Sequence, residues 1–240
     1  MSIYLSVIVP CYNEELRFKH GFNHYFSYLK KQKYSWELLF VNDGSYDKTE
    51  ELLKNSVKIN KNVKMISYNK NKGKGYAIVK GVEKAQGQYI LFSDIDHSVP
   101  ISTLESFLNS FERGYDVVIG SRRVIGAKFL KRPPFLRELL GRGFSALVRL
   151  LIDFKITDTT CGFKAFKNEF AKKIFQKITV YGWAFDAEII FLCKKYGLKV
   201  SQVPVVWEDV RGSKVSVGRD IVESFFGLLK VRINDIQNKY

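Results

Sequence analysis

The run YILFSDIDHSVP, residues 89–100, passes from Tyr-Ile-Leu-Phe straight into Asp94-Ile95-Asp96. In an extended chain, residues i and i+2 point the same way, so both carboxylates converge on one point beyond the strand end. Two like charges so close are costly unless a cation sits between them. Carboxylate oxygens suit Mg²⁺ or Mn²⁺, and Mg²⁺ is commonly held by one or two carboxylates plus substrate phosphates. Asp94 and Asp96 are therefore candidate metal ligands, with a diphosphate completing the shell.

Other polar groups follow apolar runs in the same manner. Pro10-Cys11-Tyr12-Asn13-Glu14 succeeds one run and Asn42-Asp43-Gly44-Ser45 another. Tyr12 has the ring to stack on a base, and Asp43 the oxygen to accept from a base N–H. A plain turn would account for Asn-Asp-Gly-Ser equally well. Lys72 and Lys74, in NKNKGKGYAIVKG, flank a glycine at the start of a helical pattern, where phosphate would meet helix N–H groups. That segment is neither a dinucleotide fingerprint nor a Walker loop. His20 and His24 stand four apart without a third ligand and read as surface residues.

The elements that must position these groups alternate. Apolar runs at 5–9, 38–41, 63–67, 89–92 and 117–119 suit buried strands. Helical patterns at 14–31, 47–60, 75–85 and 102–112 separate them, the last with Ser102 and Glu105 as an apparent capping box. This alternation predicts an α/β fold: a mostly parallel sheet with helices on both faces, binding ligands at the carboxyl ends of its strands.

The second half is strongly basic. Residues 122–149 hold eight Lys or Arg against one acid, Glu138. A helical pattern follows Pro133-Pro134, with Leu136, Leu139, Leu140, Phe144, Leu147, Leu150 and Leu151 on one face and Glu138, Arg142, Ser145 and Arg149 opposite. Such a helix either packs on the sheet or lies in a bilayer interface. Near the C-terminus Val222, Phe225, Phe226, Leu229, Ile233 and Ile236 repeat the pattern and read as core. The net charge of +15 over 240 residues implies an anionic partner: nucleic acid, a membrane surface or phosphorylated small molecules. Three scattered cysteines suggest a reducing compartment. No basic leader or membrane span is expected.

Taken together, VIVPCYNEE, VNDGS, NKGKGYAIVKG, SDIDHS, IGSRR, DTTCGFKAF, WAFDAEII and GSK resemble, in order, the motifs of family 2 glycosyltransferases. The likeness is strongest to the polyprenyl-phosphate sugar transferases, dolichyl-phosphate glucosyltransferases above mannose synthases. It runs from about Ser6 to Lys214. The resemblance implies a GT-A fold, a nucleotide-sugar donor, Mg²⁺ or Mn²⁺, and a polyprenyl or dolichyl phosphate acceptor. Pro10, Tyr12, Glu14, Asp43, Lys72 and Asp94 would then meet the nucleotide, and Asp94 and Asp96 the metal. Arg122 would meet the acceptor phosphate, with Arg137 and Lys164 as further candidates. Ser213 and Lys214 would belong to a loop closing over the donor, and Asp96, Asp186 and Arg122 would form the catalytic set. Where mannose synthases carry Asp-Asp-Gly-Ser, this chain has Asn42-Asp43, and Ser98 stands where they tend to place Gln.

The implied reaction is inverting transfer of a hexose, glucose from UDP-glucose before mannose from GDP-mannose, to a lipid phosphate. A family 2 enzyme with a glycan acceptor, a nucleotidyltransferase and a nucleic-acid-binding module are the rival readings. Of these the last leaves the strand-end acids unexplained, so no nucleic acid is expected. The chain is expected to be one domain, with a nucleotide-binding half over about 1–120 and an acceptor-binding half over about 121–240. A cytoplasmic location, peripheral to a membrane, follows from the acceptor.

Overall fold

The computed structural model describes residues 2–132, 135–152, 155–210 and 217–240, leaving aside the side chains of 135–137 and 217–222. The first half reads β1 (Leu5–Cys11), α1 (Glu15–Leu29), β2 (Trp36–Asp43), α2 (Thr49–Val57), β3 (Val63–Tyr68), α3 (Lys74–Lys84) and β4 (Tyr89–Ser93). A 3₁₀ turn at Ile101–Thr103 leads into α4 (Leu104–Glu112) and β5 (Val117–Ser121). Then come β6 (Lys128–Lys131), α5 (Phe135–Leu151), β7 (Phe163–Lys167), α6 (Asn168–Phe175) and α7 (Phe185–Lys195). The chain closes with β8 (Val200–Pro204), β9 (Val206–Glu208) and α8 (Val217–Ile236).

Seven strands form one sheet in the order β3-β2-β1-β4-β7-β5-β8, and β6 pairs with β9 beside it. All neighbours in the large sheet are parallel except β7, which runs antiparallel between β4 and β5. The two halves of the chain therefore share a sheet. Period-2 alternation sends Ile8, Ile90 and Phe92 to one face and Leu5, Val7, Val9 and Leu91 to the other. Helices α3, α6 and α7 cover the first face, and α1 and α4 the second. Both faces being buried explains why the strands read as continuous apolar runs.

The order of strands reverses at β1, which has β2 on one side and β4 on the other. Such a switch point opens a crevice at the carboxyl ends of the strands. Tyr25 of α1, fully buried, fixes the end of β4 there: its hydroxyl meets Ser93 Oγ at 2.7 Å and donates to the Asp94 carbonyl at 2.5 Å.

Several local expectations are corrected. Helix α4 begins at Leu104 with no side-chain cap, and Glu105 instead accepts from the Tyr28 hydroxyl at 2.6 Å. In α5 the inward line is Ser145, Val148 and Ile152 beyond its end, while Leu139, Leu147 and Leu150 are exposed. In α8 the buried line is Ser224, Leu228, Val231 and Asn234. Phe225, Phe226, Leu229, Ile233 and Ile236, expected in the core, lie outside. Both helices turn a mixed face inward and leave large apolar side chains in water.

Gly21 of α1 shows how tightly the β4 end is held. A Cβ there would stand 2.2 Å from the Ile95 carbonyl oxygen, which is backbone and cannot swing aside. We expect Gly21→Ala to cost about 2 kcal/mol by urea denaturation, with the 94–96 turn displaced. An unchanged midpoint would mean that this approach is not a constraint.

Candidate functional site

A cleft of 490 Å³ opens at the switch point, within the range of small-ligand sites. The ends of five strands that run the same way feed it. From β1 and the start of α1 come Pro10, Tyr12, Glu14 and Arg17; from β2, Asp43; after β3, Asn71, Gly73 and Lys74. After β4 come Asp94 and Asp96, and after β5, Arg122. The far wall is Thr160, Gly162, the 181–186 segment entering α7, Trp207 and Glu223.

Asp94 and Asp96 both line the cleft, but not as extended chain. The backbone turns at Ile95-Asp96, His97 N–H donates to the Asp94 carbonyl at 3.3 Å, and His97 has φ +48°. The turn brings the carboxylates to the same cleft by another route than strand alternation. Asp96 Oδ1 accepts from Ser98 N–H at 3.0 Å, and Asp94 Oδ1 lies 2.5 Å from Lys74 Nζ. Among the described residues no three His, Cys, Asp or Glu side chains gather to hold a metal. The donor set on offer is two carboxylates, which fits a hard cation whose remaining ligands are phosphate and water.

Asp43 is almost fully buried and already engaged. It accepts from Lys72 N–H at 2.8 Å, Gly73 N–H at 3.0 Å and Asn71 Nδ2 at 2.8 Å. Burial pushes its carboxyl pKa up, and the Lys72 N–H pulls it back. It shapes the loop into α3, whatever else it contacts. Lys72 itself is exposed, its ammonium 4.5 Å from the centre of the Tyr76 ring. Lys74, two residues on, is the lysine that enters the cleft.

Lys164 is a second correction. It is fully buried in β7, donating to Asp186 Oδ1 at 2.5 Å and to the Cys161 carbonyl at 2.6 Å. With no exposed surface, it is not among the residues that line the cleft. Its effect falls on Asp186, which lines the cleft at the start of α7. Burial raises the Asp186 pKa, opposed by Lys164 and Lys74. Glu188, two residues on, points away and accepts from Thr179 and Val180 N–H groups.

Arg122 is held by a fork. Its Nε donates to Asp158 Oδ2 at 2.7 Å and its Nη2 to Asp158 Oδ1 and Thr160 Oγ1, both at 2.8 Å. Asp158 has no exposed surface; although burial opposes it, the guanidinium keeps its carboxyl far below the usual carboxylate range. Glu14 is paired in the same way with Arg17, through two bonds of 2.7 Å. Tyr12 packs edge-on to Tyr46, ring centres 6.1 Å apart. Arg137 lies on α5, but its side chain is outside the described residues, as are Ser213 and Lys214 entirely.

Sequence reasoning missed Arg17, Asp158 and Thr160. Arg17 carried a signal, three residues after Glu14 on a helix. The Arg122–Asp158 contact spans 36 residues and carried none. His20 is exposed, as expected, but His24 is half-buried, and both stack on His97, at 4.4 and 5.0 Å, beside the 94–96 turn. His24 Nε2 accepts from Ile101 N–H at 2.9 Å, so that nitrogen must be unprotonated. Burial, then His97 and His20, bring its pKa down to about 4.

The glycosyl transferase family 2 model matches residues 6–175. A dolichyl-phosphate beta-glucosyltransferase of Dictyostelium discoideum is 31% identical over 96% of this chain and 74% of its own length. One from Trichomonas vaginalis is 36% identical over 97% of this chain and 74% of its own, and the human one 34% over 88% and 69%. Glucosyl-3-phosphoglycerate synthase of Mycobacterium tuberculosis, solved with UDP, superposes with a TM-score of 0.68 at 20% identity, covering 95% of this chain and 80% of that one. Another of its structures, with Mn²⁺, UDP and glucosyl-3-phosphoglycerate, gives 0.67 at 19% identity over the same shares. Mannosyl-3-phosphoglycerate synthase of Rubrobacter xylanophilus gives 0.68 at 16%, covering 99% and 75%. The chain belongs to glycosyl transferase family 2, and its fold is GT-A.

Two outcomes follow from the ion pair and the histidine. Asp158→Asn removes a buried charge from beside a half-buried guanidinium and should cost about 3 kcal/mol in denaturant titration; an unchanged midpoint would contradict the fork. The folded pKa of His24 lies below its unfolded value of 6.5. The unfolded chain therefore binds more protons between about 6.5 and 4, and stability should fall as pH drops through that window. Comparing the protein with His24→Gln from pH 7 to 4.5 checks this: the variant should lose less, and parallel curves would count against it.

Proposed function

With family 2 membership as the premise, we propose that this protein transfers glucose from UDP-glucose to a dolichyl or polyprenyl phosphate at a membrane surface. The observation that carries the reading is the cleft at the β1–β4 switch point, where Asp94, Asp96, Lys74 and Arg122 meet. The dolichyl-phosphate beta-glucosyltransferases it resembles support the sugar and the acceptor. Asp94 and Asp96 would hold a divalent ion, Mg²⁺ or Mn²⁺, which would supply electrostatic stabilisation to the departing diphosphate.

The protein's own groups do the remainder. Pro10, Tyr12, Glu14 and Asp43 border the end of the cleft for the nucleotide, and α3, whose Gly75 N–H is taken by the Tyr181 carbonyl, turns its positive end toward phosphate. Asp186, steadied by Lys164, accepts from sugar hydroxyls. Asp158 and Thr160 occupy Nε and Nη2 of Arg122, which leaves Nη1 to donate to the acceptor phosphate. That phosphate, a monoester with a second pKa near ~6, is already mostly dianionic at neutral pH. It needs alignment more than a base. The bond from its oxygen to the anomeric carbon forms as the bond to the nucleoside diphosphate breaks, turning an α-linked donor into a β-linked product.

Amphipathic helices α5 and α8 suit the lipid. They pack on one another, and Leu150 at 81%, Ile236 at 77% and Phe226 at 62% exposure stand among Arg142, Arg149, Lys230 and Arg232. Apolar residues flanked by cations match an interface-bound helix. No described helix is long and apolar enough to cross a membrane. A cytoplasmic-face location and an acceptor-binding second half belong to this reading.

Labelled UDP-glucose with polyprenyl phosphate in phosphatidylglycerol vesicles tests it. The protein should form labelled lipid, and Asp96→Ala should lower turnover by at least about 100-fold while remaining folded. Replacing Leu139, Leu150 and Phe226 by Ser should slow transfer to the vesicle substrate more than to a short-chain, soluble phosphate. Transfer to free glycans in preference to lipid phosphate would overturn the acceptor.

A further inference from the structure

Lys74 is the first residue of α3, and its ammonium is paired with one of the two aspartates at the β4 end. It sits 2.5 Å from Asp94 Oδ1, with Asp96 and Asp186 also within electrostatic reach. The approach is shaped on its other side by Gly162. A Cβ there would stand 2.0 Å from Asp94 Oδ2 and 3.3 Å from Lys74 Nζ. The pair is therefore seated against the backbone entering β7, and both partners keep about a third of their side chains exposed, at 31% and 38%. Lys164, by contrast, is locked on Asp186 with no exposure.

A divalent cation bonded to Asp94 at about 2.1 Å would lie close against an ammonium held on the same carboxylate, and the two would repel strongly. One must leave. Lys74 has a flexible four-carbon stem and an acid, Asp186, within reach. It also stands at the positive end of α3, where an incoming phosphate is favoured.

We propose that Lys74 is an exchangeable internal cation: it occupies Asp94 while the cleft is empty, yields that carboxylate to a divalent ion, and passes to the nucleoside diphosphate that arrives with it. The inference rests on the reading of the cleft as a nucleotide-sugar site. It makes metal alone a poor ligand, because binding must displace a resident charge. Metal and diphosphate together become a good one, because the displaced ammonium gains a new partner. The same residue thus opposes one ligand and supports the other, which a residue of purely structural role would not do.

Mn²⁺ binding, followed by electron paramagnetic resonance of the free ion, and UDP binding by calorimetry with and without Mn²⁺ test the exchange. Lys74→Met should bind Mn²⁺ alone at least about threefold more tightly than the native protein, the expected release from one partly exposed ion pair. It should bind UDP with Mn²⁺ several-fold more weakly. Lys74→Arg, which keeps the charge, should follow the native protein for Mn²⁺ alone, and circular dichroism checks that both variants fold. Unchanged or weaker Mn²⁺ binding by folded Lys74→Met overturns the exchange. Undiminished UDP binding overturns its second half. Failure of the underlying reading looks different: the native protein would take no UDP under any condition.

Discussion

Carboxylates can gather at the end of a buried parallel sheet only if cations or N–H donors hold them there. In this molecule three acids bordering the cleft are paired with cations, Glu14 with Arg17, Asp94 with Lys74, and Asp186 with Lys164, while Asp43 and Asp96 accept from backbone N–H groups. Behind them, Asp158 fixes Arg122. A lone carboxylate in such a place would be desolvated and forced to protonate. The surrounding structure serves these pairs: the Tyr25 hydroxyl fixes the β4 end, and Gly162 leaves room for Asp94 and Lys74 to meet.

The pairs differ in how deeply they are buried, and that divides their roles. Lys164 and Asp158 are sealed, so each holds its partner in one place. Breaking such a pair strands a buried charge. Lys74 and Asp94 are partly in water, where an ion pair contributes little to stability and exchanges readily. A cleft built this way has rigid walls, Asp186 and Arg122, around a labile centre. That suits the proposed binding and release of a nucleotide with a cation.

Much of the fold was legible because the strands are buried on both faces. Residues 38–41 and 89–92 announce strands by composition alone, and a parallel sheet assigns their carboxyl ends to a cleft. The details that went wrong all depended on contacts between distant segments. Asp94 and Asp96 were placed by extended-chain alternation, but the chain turns after Ser93. Lys72 and Lys74 are indistinguishable in sequence; the packing of α3 on the sheet sends one to Tyr76 and the other to Asp94. Lys164 resembled a phosphate ligand because nothing local shows that β7 is a central strand between β4 and β5. The helical wheels of α5 and α8 located apolar residues correctly, yet the faces buried are Ser145–Val148–Ile152 and Ser224–Leu228–Val231. A small, partly polar stripe packs closely against a neighbour, and bulkier residues then remain outside.

The claim on which the rest depends is that Asp94 and Asp96 together receive a cation at the mouth of the β1–β4 crevice. Anomalous diffraction from crystals grown with Mn²⁺ and UDP examines it directly. The expected map places one peak within about 2.2 Å of an oxygen from each aspartate, with the diphosphate on its open side. A peak elsewhere, or UDP seated outside that crevice, would contradict it.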